Sequence, residues 1–317
     1  FVGSCFTPSS CSTDISDYLL NGCKWEEAPI CPDYIGPVTI ARTSDGRGRG
    51  LFATRDIAAG DIILVSNAFA TSYNDTHSID LYTKISNIVK ESPRALEQYY
   101  SLAGYGYHDE MDVPDLMLFD PNFPFSESRG DSQERPEIDE KRIVHILNVN
   151  SFEGEVGGFE GDKKPNMKIN GLWLLPSFIN HSCCPNASRL VVGEAMFIIA
   201  SQDIKAKEEI NISYTDAMAP LKRREENLGM MGYGFRCECK RCETERSIFL
   251  IQQDIREIGE RVNELYNGAG EEVLSAITSM DRLPLDKFPI CVELSGLYDK
   301  LKTRVNTLED LTPLQKK

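Results

Sequence analysis

Short apolar runs separated by turn residues mark the first part of the chain. Val38–Ala41, Leu51–Thr54 and Ile62–Val65 each have the length and the apolar, partly β-branched composition of a strand. The glycine-rich turn Asp45–Gly50 separates the first two runs, and Ala58–Asp61 separates the last two. We therefore predict short strands joined by turns, a pattern typical of a compact β-domain.

Apolar residues at helical spacing mark two further regions. Ile79–Ile88 and Pro93–Leu102 are predicted to be helices, because their apolar residues fall on one face. Near the end of the chain, Ile248–Leu265 carries apolar residues alternately three and four positions apart, which predicts an amphipathic helix. Val273–Met280 and Cys291–Val305 predict two more helices. We expect these C-terminal helices to form a bundle, with a partner-binding surface or a coiled coil as the alternative.

Polar stretches separate these elements. Ser126–Lys141 is acidic and contains proline, which predicts an exposed, mobile segment. Gly154–Asn170 is rich in Gly, Glu, Asp and Lys and is predicted to be a loop. The carboxylates within residues 109–115 are of the type that binds metals, but a solvated acidic loop is the simpler interpretation. His145 lies in an apolar run and is predicted to be a core histidine.

The junction between an apolar run and a polar quartet indicates a candidate site. Leu175–Ile179 leads into Asn180-His181-Ser182-Cys183, which places an amide, an imidazole and a thiol at the end of a buried element. Buried polar groups cost free energy unless they have partners, so this placement favours a functional role. Further along, Ile210, Ile212 and Tyr214 share one face of a predicted strand. A buried tyrosine there needs a hydrogen-bond partner for its hydroxyl.

Composition narrows the classes of function. The chain has 317 residues, of which 41% are hydrophobic and 26% charged, as is ordinary for a soluble globular protein. Its apolar runs are too short to span a membrane. The formal net charge of -15 argues against a nonspecific nucleic-acid binder, which needs a basic face to displace counterions from phosphates. An acidic protein attracts basic substrates such as histone tails.

The ten cysteines are unevenly spread. Four lie in the first 31 residues, five lie at positions 183–184 and 237–242, and Cys291 stands alone. The cluster Cys237-x-Cys239-x-x-Cys242 is too tight for independent disulfides, and a zinc site with thiolate ligands explains the spacing better. Zinc thiolates imply a reducing compartment. A secreted, disulfide-rich protein is the alternative, and it requires this cluster to be oxidised.

These motifs together resemble a known family. Asn180-His181-Ser182-Cys183 with Pro185-Asn186, Ile212-Ser213-Tyr214 and the closing cysteine triplet are similar to the SET-domain protein lysine methyltransferases. Within them, the chain looks most like the branch that includes the SMYD proteins and the fungal and plant tetratricopeptide-SET proteins. The resemblance covers residues 37–75 and 143–246. Residues 1–36 depart from it, because they lack the paired cysteines and the histidine of the MYND zinc module of SMYD proteins.

The resemblance implies an α+β fold, namely the SET-domain arrangement of small β-sheets with a pseudoknot, a helical insertion, a zinc post-SET motif and a helical C-terminal region. The expected organisation is a tail or the end of an upstream domain at 1–36, SET halves at 37–75 and 143–216, a helical and acidic insertion at 76–142, a post-SET zinc motif at 217–246 and a helical region at 247–317. Because the chain begins with Phe1 and shows no signal-peptide pattern, we expect a fragment that lacks an upstream domain.

The resemblance also implies a site for S-adenosylmethionine. In the family, the backbone around Gly48 to Gly50 binds the methionine part of this cofactor. The Asn180 side chain and the His181 backbone bind it as well, and Phe235 stacks near the adenine. The cofactor-binding residues implied in this way are Arg47, Gly48, Arg49, Gly50, Asn180, His181, Tyr214 and Phe235.

The resemblance also implies that aromatic residues take part in methyl transfer. The hydroxyl of Tyr214 is expected to point at the transferring methyl group and to orient the amine. Tyr233 and Phe152 are expected to line the lysine channel, with core packing as the alternative for Phe152. Methyl transfer to an amine is an in-line displacement that needs no nucleophilic residue, so the lack of a Ser-His-Asp or Cys-His pattern does not argue against an enzyme.

The family motif supplies the missing zinc ligand. Cys183 is implied as the fourth ligand beside Cys237, Cys239 and Cys242, and the adjacent Cys184 is a competitor for that position. Four thiolates leave no open position for water, so this zinc is expected to be structural rather than catalytic.

We therefore interpret the chain as an S-adenosylmethionine-dependent protein lysine methyltransferase of the nucleus or cytoplasm. The expected partner is a basic, lysine-containing peptide, with a histone lysine as the first choice and no direct nucleic-acid or membrane contact. The C-terminal helices are a candidate surface for protein partners. One alternative is a non-histone substrate such as a translation or ribosomal factor. Another is a catalytically idle scaffold, which would be indicated by loss of Asn180, His181 or Tyr214.

Overall fold

A computed structural model describes residues 32–73, 78–104, 112–124, 138–156, 167–230, 235–268 and 289–315 of the chain. The chain divides into two compact units. The first unit comprises residues 1–216 and 227–235, and the second comprises residues 217–226 and 236–317. Across the described ranges, no helix is both long enough and apolar enough to cross a bilayer.

Among its described residues, the first unit has three small sheets. Their strands are β1 (Tyr34–Ile35), β2 (Val38–Arg42), β3 (Arg49–Ala53), β4 (Ile62–Asn67), β5 (Ala70–Tyr73), β6 (Phe152–Val156), β7 (Met167–Leu172), β8 (Asn180–His181), β9 (Ala187–Val192), β10 (Ala195–Ala200) and β11 (Glu209–Ile212). The strand orders are β1-β4-β10-β9, β2-β3-β11-β8 and β5-β7-β6. The strands predicted at 38–41, 51–54 and 62–65 are confirmed as β2, β3 and β4, with small shifts at their ends.

One strand pair differs from the others in direction. β8 runs parallel to β11, with Asn180 opposite Asn211 and His181 opposite Ile212. The remaining pairs of these strands are antiparallel. Because Tyr214 follows the end of β11, the parallel pairing places it beside the Asn180-His181 dipeptide.

The first unit also contains helices. They are α1 (Ile79–Glu91), α2 (Pro93–Tyr100) and α3 (Glu140–Asn150), with 3-10 helices at Leu116–Phe119 and Pro176–Phe178. Ser92 separates α1 from α2, and its hydroxyl accepts a hydrogen bond from the backbone N–H of Ala95 at 3.2 Å. Pro93 occupies the start of α2, where its missing N–H costs nothing. The helices predicted over 79–88 and 93–102 are confirmed, and so is the α+β class.

The strands and helices of the first unit share one apolar core. Fully buried side chains come from both kinds of element, among them Leu51, Ile63, Leu81, Ile143 and Trp173. The indole N–H of Trp173 donates to the backbone carbonyl of Glu194 at 2.9 Å, so its buried polar atom has a partner. The candidate site is therefore built on elements whose positions the core fixes.

The loop predicted over 154–170 is wrong at both ends. β6 pairs antiparallel with β7, with Gly154 opposite Ile169. Glycine and charged residues favoured a loop, whereas cross-strand pairing and the burial of Ile169 decide the structure. Residues 157–166, between the two strands, lie outside the described residues.

The prediction of a core histidine at position 145 is also wrong. His145 is exposed on α3, whereas Ile143, Ile146 and Leu147 are buried. Successive residues of a helix are rotated around its axis, so a continuous apolar run cannot point into the core at every position.

The second unit is helical among its described residues. α4 (Leu221–Met230) has its first turns in this unit, and α5 (Lys240–Gly268) and α6 (Pro289–Gln315) belong to it entirely. α5 and α6 pack antiparallel, with ion pairs from Arg261 to Glu293 at 2.9 Å and from Arg304 to Asp254 at 2.8 Å. They confirm the helices predicted over 248–265 and 291–305. The helix predicted over 273–280 lies outside the described residues.

Gly171→Ala is expected to destabilise the protein by about 1–3 kcal/mol, because overpacking a buried site forces side chains from their preferred positions. The added Cβ would lie 2.7 Å from the ring of Trp173, which is fully buried. Gly154→Ala on the paired strand is the matched control, since its Cβ would meet Ile169 at an ordinary 3.5 Å. Urea unfolding measures both variants, and a wild-type free energy of unfolding in Gly171→Ala would contradict this packing.

Candidate active site

A cavity of about 430 Å³ lies within the first unit. Its wall comes from the turn before β3, the junction of α3 with β6, the 3-10 helix at 176–178, β8 and the residues after β11. Eight residues predicted for the site line it, namely Arg47, Gly48, Arg49, Phe152, Asn180, His181, Tyr214 and Phe235. Gly50 lies against Asn180. Tyr233 falls outside the described residues. The fold thus gathers segments that are far apart in sequence.

The turn before β3 needs glycine for two different reasons. Gly48 has a φ of 91°, in the left-handed region that favours glycine. At Gly50, an added Cβ would lie 2.7 Å from the Glu209 carboxylate and 3.0 Å from the Asn180 amide nitrogen. The missing side chain at Gly50 therefore leaves room for a polar network.

Glu209 is the centre of that network. Its carboxylate accepts hydrogen bonds from Asn180 Nδ2 at 2.8 Å and from the guanidinium of Arg47. Burial disfavours the charged form of Arg47, but hydrogen bonds to Glu209 and Asp45 outweigh it and raise the pKa of this guanidinium. No pattern in the sequence indicated this role for Glu209, because nothing in the chain showed which side chains would surround it.

The network fixes the orientation of Asn180. Besides the bond to Glu209, Asn180 Nδ2 donates to the backbone carbonyl of Arg49 at 2.9 Å. With both amide hydrogens committed, the carbonyl oxygen is the polar atom that Asn180 offers to a ligand.

Arg49 brings a second guanidinium to the cavity wall. Its guanidinium carbon lies 5.2 Å from the ring centroid of Phe178, and its Nη1 donates to the carbonyl of Asp112 at 3.0 Å. Burial lowers the pKa of Arg49 from its usual value. Arg47 and Arg189 also line the wall, together with the carboxylate of Glu153. Arg47 is paired with Glu209 and Asp45. Arg49 and Arg189 are therefore the guanidiniums better suited to a ligand carboxylate.

The side chain of Asn186, which follows the Asn180-His181-Ser182-Cys183 segment, is hydrogen-bonded to β11. Its Nδ2 donates to the backbone carbonyl of Glu209, and its Oδ1 accepts from the N–H of Asn211, both at 2.8 Å. The side chain is buried, so it completes strand hydrogen bonding that water cannot reach. Sequence analysis recorded Asn186 only as part of a motif.

The hydrogen bonds of His181 define its tautomer. The backbone N–H of Tyr214 donates to Nδ1 at 2.9 Å, so Nδ1 carries no hydrogen. A neutral ring then carries its hydrogen on Nε2, which lies 3.2 Å from the sulfur of Cys183 and donates to it. The sulfur of Cys183 is therefore an acceptor, a role that a thiol, a thiolate or a metal-bound cysteine can fill.

Tyr214 is fixed at its backbone and at its hydroxyl. The hydroxyl donates to the backbone carbonyl of Ile179 at 2.7 Å, and the ring centroid lies 5.3 Å from that of His181. This confirms that the tyrosine hydroxyl has a partner. Because its hydrogen is used in that bond, the oxygen can only accept from a further group.

Two phenylalanines border the cavity. The ring of Phe152 meets Trp173 edge to face at 6.0 Å, and the guanidinium of Arg189 lies 5.2 Å from the Phe152 centroid. Phe152 thus packs on the core and also lines the cavity, and its role in a lysine channel stays a prediction. The ring of Phe235 lies 5.9 Å from that of His181.

The cysteine cluster lies in the second unit. The sulfur atoms of Cys237, Cys239 and Cys242 lie within 4.8 Å of one another. Arg224 Nη2 donates to the sulfur of Cys242 at 3.5 Å, which favours a negatively charged sulfur. Clustered sulfur donors with this spacing fit a zinc ion. The fourth ligand, Cys183 with Cys184 as its competitor, stays a prediction.

The comparison with protein families agrees with this geometry. Residues 48–215 match the family described as the SET domain, which is more than half of the chain. The chain belongs to the SET-domain family, the class that includes the protein lysine methyltransferases.

Within this class the chain is related to the SMYD proteins. It is 39% identical over 259 residues to the N-lysine methyltransferase SMYD2-A of Xenopus laevis, covering 64% of this chain and 60% of that protein. It is 37% identical over 75 residues to the histone-lysine N-methyltransferase SMYD3 of Homo sapiens, covering 24% of this chain and 17% of that protein. A Gibberella zeae protein named a methyltransferase is 26% identical over 278 residues, or 78% of this chain and 36% of that protein. The chain spans less than two thirds of each of these relatives.

Glu209→Gln is expected to weaken binding of S-adenosylmethionine roughly tenfold, because it removes the carboxylate charge that pairs with Arg47 and thereby loosens Arg47 and Asn180. Asp203→Asn is the matched control, since that exposed carboxylate instead accepts from the backbone N–H of Ala59 at 3.0 Å and does not line the cavity. Isothermal titration calorimetry measures both dissociation constants. Equal affinities for the wild type and Glu209→Gln would contradict the role of the network.

Proposed function

We propose that this chain transfers a methyl group from S-adenosylmethionine to the side-chain amine of a protein lysine. This proposal rests on the groups that line one cavity. A single cavity joins the Arg47–Arg49 turn, the Asn180-His181 dipeptide and Tyr214, whose polar groups complement a zwitterionic nucleoside ligand.

The cofactor-binding roles follow from the groups on the cavity wall. S-adenosylmethionine would supply a methyl group on a sulfonium sulfur. Arg49 and Arg189 would bind its carboxylate, and the Asn180 carbonyl oxygen would accept from a donor on the ligand. The backbone of Gly48 and Gly50 would contact its methionine part. His181 and Phe235, whose rings lie 5.9 Å apart, would pack near the adenine.

The lysine must enter the transfer as a neutral amine with an available lone pair. Guanidinium groups on the wall disfavour a further positive charge, so they lower the pKa of an amine bound there. The Tyr214 oxygen, with its hydrogen donated to Ile179, would accept a hydrogen bond from the amine and orient it. Phe152 and Tyr233 would line the lysine channel.

A structural zinc ion completes the proposal. Cys237, Cys239 and Cys242 would hold it, and the family resemblance supplies Cys183 as the fourth ligand, with Cys184 as the alternative. The acceptor role of the Cys183 sulfur is compatible with ligation. Four thiolates would order the segment around the cluster and leave no position for a reacting water.

A histone lysine is the proposed substrate, in the nucleus or the cytoplasm. The net charge of -15 attracts basic tails, and one relative is named a histone-lysine N-methyltransferase. A non-histone lysine is the alternative, because SMYD2-A is named only an N-lysine methyltransferase. A panel of core histones and whole-cell protein, each incubated with labelled cofactor, separates the two.

Tyr214→Phe and Asn180→Ala are expected to lower methyl transfer roughly 100-fold, because each removes a group that orients a reactant. Asn180→Ala should also weaken cofactor binding, whereas Tyr214→Phe should leave it nearly unchanged. Tyr73→Phe is the control, since Tyr73 is exposed at the end of β5. Transfer of labelled methyl to lysine measures activity. Cofactor binding without transfer in the wild type would favour the idle scaffold, and absence of cofactor binding would contradict the site.

Removal of zinc by a chelator is expected to abolish transfer, because the thiolates would then repel one another and residues 233–246 would lose their order. Hydrogen exchange should rise in this segment and stay low in β10, which is almost entirely buried. Full activity in a sample shown by metal analysis to lack zinc would contradict the proposed role of the metal.

A further inference from the structure

Arg224 is a buried, positively charged residue that belongs to none of the motifs found in the sequence. Its side chain has 0% exposure and lies in the first turns of α4, within the second unit. Burying a charge is costly unless the charge is paired and hydrogen-bonded. The hydrogen-bond partners of Arg224 therefore indicate its role.

The partners of Arg224 come from the turn before α4 and from the first turns of α5. Nη1 donates to the backbone carbonyl of Ala219. Nη2 donates to the carboxylate of Glu245 at 2.6 Å and to the sulfur of Cys242 at 3.5 Å. One planar guanidinium thus connects the turn before α4, the cysteine cluster and the first turns of α5. The fixed fork of arginine donors suits this geometry, whereas the single ammonium of lysine does not.

A second arginine, Arg241, stabilises the carboxylate that pairs with Arg224. Arg241 donates from Nε to the other oxygen of Glu245 at 2.7 Å and from Nη1 to the carbonyl of Ala217. Burial raises the pKa of Glu245, but the hydrogen bonds from Arg224 and Arg241 outweigh it and leave this pKa below its usual value. The carboxylate stays charged and orients Arg224 toward Cys242.

We propose that Arg224 is a positioning residue for the metal site formed by Cys237, Cys239 and Cys242. This inference rests on the zinc ion in the proposed function. Clustered thiolates carry more negative charge than one zinc ion neutralises, and a guanidinium at one sulfur offsets part of the excess. The hydrogen bond also directs the Cys242 sulfur, as groups around metal ligands commonly do.

The alternative is that Arg224 merely joins two helices through an ion pair. A residue with that role would affect the unfolding temperature but not the affinity for metal once the chain is folded. Zinc affinity of the folded chain therefore distinguishes the two roles.

The experiment uses the full chain, loaded with zinc, in four forms: wild type, Arg224→Met, Arg224→Lys and Arg223→Met. Arg223 is the matched control, because it neighbours Arg224 on the same helix but its side chain is 65% exposed. Competition with a metallochromic chelator gives the zinc dissociation constant, and circular dichroism under saturating zinc shows whether each variant is folded.

The zinc dissociation constant of Arg224→Met should rise about 10- to 100-fold, and that of Arg223→Met should change less than about twofold. Arg224→Lys should lie between them, since it keeps the charge but not the fork. The thiolate-to-metal absorption of cobalt-substituted protein should shift in Arg224→Met and stay unchanged in Arg223→Met. If Arg224→Met does not fold, Arg224→Lys decides the question.

Three results would overturn the inference. The first is an unchanged zinc dissociation constant in the folded Arg224 variants, even if their unfolding temperature falls. The second is an equal loss of affinity in Arg223→Met. The third is a wild-type chain that binds no zinc, which would overturn the metal assignment as well. A wild type that binds zinc as described but transfers no methyl group would contradict the proposed enzyme and leave this inference supported.

Discussion

The candidate site depends on one short parallel pairing, that of β8 with β11. β8 has only two residues, yet its register places Asn180 opposite Asn211 and His181 opposite Ile212. A shift by one residue would turn each side chain to the opposite face of the sheet. Asn180 would then lose Glu209, and His181 would lose the N–H of Tyr214. Asn186 protects the register, because its side chain bonds to β11 on both sides of position 210.

Charge is distributed unevenly in this molecule. The chain as a whole carries a formal charge of -15, whereas three arginines line the cavity. An anionic exterior attracts cationic peptides from a distance, and a cationic wall disfavours a protonated amine at short range. These effects act at different distances, so they do not cancel. Under the proposed function, the charged form of a substrate lysine would be attracted from a distance and its neutral form favoured within the cavity.

Local spacing predicted the strands β2 to β4 and the helices α1 and α2, because the period of apolar residues is visible in the chain. The family resemblance identified eight of the nineteen residues that line the cavity. Glu209, Asn186 and Arg224 were missed, because their importance comes from backbone carbonyls and side chains that only the fold brings near. The loop predicted over 154–170 was wrong for a related reason, since pairing between β6 and β7 outweighs their composition. The roles of the cavity residues, unlike their positions, stay predictions.

The bonds that assemble the cavity join very distant parts of the chain. Asn180 reaches the carbonyl of a residue 131 positions earlier, and Arg47 reaches a carboxylate 162 positions later. Contacts of such sequence separation require long stretches of chain to close into loops, which costs conformational entropy and slows folding. During synthesis, the glycine turn must wait until β11 and Tyr214 have left the ribosome. The cavity is therefore a product of the completed domain, and a nascent chain that stops before residue 214 would have the turn but no site.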